Sequence, residues 1–198
     1  MKRIGFMLVA AMLAASSFAQ SAKSVLDKAA ATVTAASGVK ANFRMTTTTG
    51  GTSGTIAIKG KKFYATTPQA KVWFDGKTQW TYLKNNDEVN VSNPTEAQLQ
   101  AINPYNFIHL YKQGYTYTMN TAGTDYVVHL TANNGERKIK ELFISVNKKN
   151  YQPTQVKMLQ GKKWTTFSIT SIKKENIADS QFRFNSKDFP KAEIIDLR

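Results

Sequence analysis

His109 and His129 are the two imidazoles in the chain, and it contains no cysteine. A metal centre needs several such ligands at fixed spacing, and neither histidine has an Asp or Glu beside it at that spacing. The lack of cysteine excludes thiol nucleophiles, disulfide frameworks, Cys-ligated zinc and iron–sulfur clusters. Gly51-Thr52-Ser53-Gly54 falls one residue short of a G-x-S-x-G nucleophile elbow and lies in a turn. Gly60-Lys61-Lys62 is too short to cradle a phosphate. Asp75 and the Asp87-Glu88 pair sit at turns, whereas a two-carboxylate glycosidase needs its acids across a cleft. These residues therefore predict no catalysis, no metal and no cofactor; the expected function is binding. Trp73, Trp80, Tyr82 and Trp164 could stack on a ligand, but no RNP or OB-type motif surrounds them. A glycan- or surface-binding β-protein using the three tryptophans as platforms is one reading.

The elements that would position these residues belong to a chain of 198 residues, with 27 Lys+Arg against 13 Asp+Glu and a formal charge of +14, which suits one domain. At 41% hydrophobic it is too apolar for a disordered polyelectrolyte. The pairs Lys61-Lys62, Lys148-Lys149, Lys162-Lys163 and Lys173-Lys174 fall at strand ends or turns. They read either as solvated lysines guarding sheet edges or as attraction to anionic membranes or partners. Nucleic acid is the least expected partner.

Lys2-Arg3, the apolar run Ile4 to Ala15 and Ser17-Phe18-Ala19 describe a secretory signal peptide over 1–19, leaving a single domain at 20–198. No Cys follows the expected cut, so no lipid anchor is expected on the chain. In a diderm bacterium the destination would be the periplasm. From Ser24 to Ala36, Val25, Ala29 and Val33 recur every four residues, predicting a helix stopped by Gly38. Alternation then takes over, with Val39, Ala41, Phe43 and Met45 on one side of a strand. Short strands follow through the Asp75-Gly76 hairpin to Val91, and again from Tyr115 to Ile172. Between them, Thr95 to Gln113 predicts two short helices, one opening at Pro94-Thr95 with Ala97, the other at Pro104. The tail from Phe182 to Leu197 is expected to be extended and edge-like. The fold class is thus mainly β with few helices, a curved sheet of about nine to eleven strands. The pattern leaves an open cup and a closed barrel equally admissible.

Val72-Trp73-Phe74-Asp75-Gly76-Lys77-Thr78-Gln79-Trp80-Thr81-Tyr82 resembles the D-G-K-x-x-W-x-Y hairpin of LolA-like outer-membrane lipoprotein carriers. Glu88 to Pro94, Asn103-Pro104-Tyr105-Asn106-Phe107-Ile108, and Ser180-Gln181-Phe182-Arg183-Phe184 with Phe189-Pro190 are similar to other stretches of that family. One departure is Gly60 to Ala65, which lacks the Arg that members often carry there. The resemblance implies an incompletely closed antiparallel β-barrel with helices covering its concave face, which holds lipoprotein acyl chains. Phe43, Met45, Ile56, Ile58, Trp80, Tyr82, Met119 and Met158 are the expected acyl-chain lining, Met and aromatic side chains being adaptable to flexible chains. Leu99, Ile102, Phe107 and Ile108 are the expected lid. The implied partners are acylated lipoproteins, an inner-membrane ABC-type release complex and an outer-membrane acceptor or membrane surface, with the carrier a monomer. A lipid-sensing or regulatory domain of the same fold is the other reading the resemblance allows.

Overall fold

The computed structural model describes residues 22–95, 98–99 and 110–198. The expected leader 1–19, Ala97, Ile102, Pro104, Phe107, Ile108 and His109 lie outside the described residues.

Helix α1 covers residues 22–33 and buries Ala22, Val25, Leu26, Ala29, Ala30 and Val33. These positions recur at three and four, so they form one apolar stripe. The helix stops short of the expected Ala36. The Thr32 and Thr34 hydroxyls donate to the carbonyls of Ala29 and Ala30, which competes with continued helix. Gly38 then turns the chain at φ 115°, and a Cβ there would come within 2.7 Å of Ile177. Asp27 accepts a hydrogen bond from the buried Tyr111 hydroxyl, tying α1 to the turn at Leu110–Lys112. Burial and this carboxylate together push the phenol well above its ordinary pKa.

Twelve strands among the described residues form one sheet. They are β1 (Val39–Thr47), β2 (Gly50–Lys59), β3 (Lys62–Thr66), β4 (Ala70–Phe74), β5 (Gln79–Leu83) and β6 (Glu88–Ser92). After the mid-chain insert come β7 (Tyr115–Ala122), β8 (Asp125–Ala132), β9 (Ile139–Asn147), β10 (Pro153–Gln160), β11 (Lys163–Lys174) and β12 (Glu193–Asp196). The order is β12-β6-β5-β4-β3-β2-β1-β11-β10-β9-β8-β7, so two meanders join where β1 pairs with β11. The sheet is curved and not closed. Alternation alone had left the closed barrel open, and the unpaired outer strands β12 and β7 remove it. The strand beyond the expected nine to eleven is β12, which runs parallel to β6, with Glu193 opposite Glu88. The sheet is therefore antiparallel except at one edge, because the tail returns across the sheet before pairing.

Register shifts between Asn42 and Phe43, between Pro153 and Gln155, and between Leu159 and Gln160 interrupt the ladders. Such bulges bend strands and help curl the sheet. One row of paired residues runs Met45, Phe167, Val156, Ile144, Val128, Met119, and this inner face carries the main core. Helix α1 packs into that core over β8, β9 and β10. Ile56, Ile58, Phe63 and Phe74 form a second inner cluster against which Leu99 packs. Before Leu99, Thr95 and Gln98 exchange capping hydrogen bonds, the Thr95 N–H to the Gln98 Oε1 at 2.8 Å and the Gln98 N–H to the Thr95 Oγ1 at 3.3 Å. Across the sheet, the C-terminal segment covers the outer face, where Ile177 and Phe182 bury Ala57.

Candidate functional site

A cleft opens on the inner face where the two meanders meet. Its described walls are Val33 from α1, Val39, Ala41 and Phe43 from β1, and Ile56 and Ile58 from β2. Pro153 and Val156 from β10 and Phe167, Ile169 and Ile172 from β11 complete them. Every one is apolar. The cleft is narrow, with a cavity volume of about 60 Å³ between these side chains. Gly54 stands opposite Phe43, and a Cβ there would lie 2.9 Å from the ring, so the glycine makes room for it. Phe43 and Phe167 face each other with ring centroids 6.2 Å apart. An apolar slot can take hydrocarbon but offers nothing to orient a polar substrate. Among the described residues no cluster of three or more His, Asp or Glu side chains is placed to hold a metal.

Of the residues expected to line a cavity, Phe43, Ile56 and Ile58 stand together in the cleft. Met45 and Met119 lie at two ends of the inner row that crosses the sheet, and Met158 is buried in the core under α1. Trp80 and Tyr82 are placed elsewhere. Trp80 pairs with Trp73 and Val91, and Tyr82 with Lys71 and Val89, while the inner row through Ile56 reaches Ala65, Val72 and Thr81. The two aromatics therefore point to the outer face, because the strict two-residue period puts Thr81 inward. Of the expected lid, Leu99 packs against the Phe63–Phe74 cluster. Val39 and Ala41 share the strand face of Phe43 but were not among the expected lining residues. Neither were Phe167, Ile169 and Ile172, because the bulge opposite Asn42 and Phe43 breaks the period between Ile169 and Ile172.

The hairpin and tail motifs meet on the outer face. Gly76 takes φ 102°, and the Asp75 Oδ1 accepts the N–H groups of Lys77 and Thr78 at 3.0 and 2.9 Å. The Asp75 Oδ2 accepts from the Arg183 Nε at 3.2 Å. Burial works against the Asp75 carboxylate, but these N–H donors and the guanidinium outweigh it and hold its pKa below the usual range. Trp73 meets Phe184 and Phe189 edge-on at 5.5 and 5.6 Å, and Tyr82 lies 4.6 Å from Phe189. Lys62 and Lys59 reach Asp179 at 2.8 and 3.0 Å. These two lysines thus clasp the tail. Of the three tryptophans, Trp73 is 7% exposed and Lys157 sits 4.6 Å over the Trp164 ring. The D-G-K-x-x-W-x-Y stretch is a structural anchor.

An open, curved β-sheet with an apolar cleft on its inner face is a half-barrel. The chain belongs to the family described as outer membrane lipoprotein carrier protein LolA, whose model matches residues 13–162. No curated protein matches the sequence. Among solved structures, an uncharacterized conserved protein from Thermus thermophilus is similar at TM-score 0.62 and 12% identity, over 89% of this chain and 99% of that one. A LolA superfamily protein from Nitrosomonas europaea is similar at TM-score 0.46 and 12% identity, over 82% of this chain and 97% of that one. The MucA/MucB complex of Pseudomonas aeruginosa is similar at TM-score 0.46 and 12% identity, over 84% of this chain and 62% of that one.

Proposed function

We propose that the protein is a non-catalytic carrier that takes the acyl chains of lipoproteins into the cleft and escorts them across the periplasm from the inner to the outer membrane. The observation that carries this reading is the uniformly apolar wall of the cleft, open at its mouth, in a chain of the LolA family. Each methylene left in water costs about 0.8 kcal/mol, so two or three acyl chains of roughly 16 carbons cannot leave a bilayer unescorted. Shielding them needs a greasy cleft and no covalent step. Loading would come from an inner-membrane ABC-type release complex and unloading would go to an outer-membrane acceptor. The leader at 1–19 would place the protein in the periplasm.

The test is displacement of an environment-sensitive apolar dye by a triacylated lipopeptide and by its unacylated twin. One-to-one displacement by the acylated peptide alone is the expected result. Equal behaviour of the two peptides would remove the carrier reading.

A further inference from the structure

We propose that the outer face of β1, β10 and β11 docks on the surface of an anionic lipid bilayer. Lys40 on β1 stands directly opposite Lys173 on β11. Arg44 lies on the same face of β1, and Lys157 on the same face of β10. Lys40, Arg44 and Lys173 are exposed, and none of the four cations has an ion-pair partner among the described residues. Glu141, the acid on the outer face of β9, is engaged by His129 at 3.0 Å. Like charges directly opposite on a sheet oppose its pairing, so this arrangement works against the fold.

Edge protection does not account for it. β1 is paired on both sides by β2 and β11, and β11 by β1 and β10, so these cations sit mid-sheet. Their neighbours on the face, Asn42, Thr46, Ser168 and Ser171, are small and polar. At one end Trp164 lies beneath Lys157 and 6.0 Å from Phe143, a pairing of aromatic and cation suited to the headgroup region. A bound acidic peptide needs a groove or a free sheet edge to hold it in register. Central strands on the convex side of a curved sheet offer neither. An extended anionic plane needs only the spread of charge. The proposal stands whether or not the cleft carries acyl chains, and it is tested without cargo.

The experiment is co-sedimentation of the full chain with phosphatidylglycerol-containing vesicles and with pure phosphatidylcholine vesicles. Binding to the anionic vesicles only, lost in about 0.5 M salt, is expected. The Lys40→Gln/Lys173→Gln pair should weaken it about 25-fold, at about fivefold per cation. Lys148→Gln/Lys149→Gln, which removes the same charge from a turn, should leave it within about twofold. Arg44→Gln alone serves if the first pair misfolds, and should weaken binding about fivefold. Equal loss in the two double variants would overturn the assignment of the face. Salt-resistant binding to neutral vesicles would overturn it in favour of the apolar run Ile4 to Ala15. Capture by soluble polyglutamate without vesicle binding would replace the bilayer with an acidic protein.

Discussion

Phe43 and Trp80 are both half-buried aromatics on alternating strands, yet they face opposite sides of one sheet. A carboxylate at Phe43 would stand in an apolar slot with no partner, which opposes entry of hydrocarbon. Phe43→Asp should therefore weaken binding of an apolar dye by at least about tenfold. Trp80→Asp, made on the outer face, should leave dye binding within about twofold. Circular dichroism would show that both variants keep their sheet. Equal loss in the two would mean that the ligand lies outside the cleft. At this scale the turn chemistry of Asp75-Gly76 was legible in the sequence, since an Asx turn is local. The partnership of Asp75 with Arg183 was not, because the two lie 108 residues apart.

The C-terminal segment is the element whose role depends most on charge. Lys62 and Lys59 hold the exposed Asp179 below the ordinary carboxylate range, and Asp75 is held low beside Arg183. A depressed folded pKa means that the unfolded chain takes up the proton first as pH falls. The stability from both acids is thus complete above about pH 5 and drains as pH drops through the unfolded and then the lower folded values. Asp75→Asn keeps the Oδ1 acceptor of the turn but loses the ion pair. Thermal melts of this variant should be lower near neutrality and fall less steeply between about pH 5 and pH 3. An unchanged slope would mean that the Arg183 contact contributes nothing. The sequence predicts an extended, edge-like tail, but the structure forms 3-10 turns at Asp179–Phe182 and Ser186–Asp188 and keeps only Glu193–Asp196 as an edge strand. That it pairs parallel to β6 after crossing the outer face follows from the aromatic contacts of Trp73 and Tyr82.

For the molecule as a whole, the two meanders differ in what covers their inner face. Helix α1 seals β8, β9 and β10, burying Val128, Leu130, Leu142 and Ile144 completely. Amide exchange should be slowest there and fastest in β12, a four-residue edge strand. Lipopeptide should slow exchange in α1, β1, β2 and β11, whose residues line the cleft, and leave β5 and β6 unchanged. Protection confined to β5 and β6 would place the ligand elsewhere. Taken alone, the sequence showed most of the strands, the leading helix and the Asp75-Gly76 turn, each of which rests on local periodicity or residue type. Gly51 to Gly54 reads locally as a turn, and pairing with β1 makes it part of β2. Only the tertiary structure decided which face of β5 turned inward, that β1 meets β11 to make the cleft, and that Lys40 and Lys173 share a mid-sheet face. Those facts depend on register between strands far apart in the chain. A single residue of slip reverses a face, so they become readable only once the strands are paired.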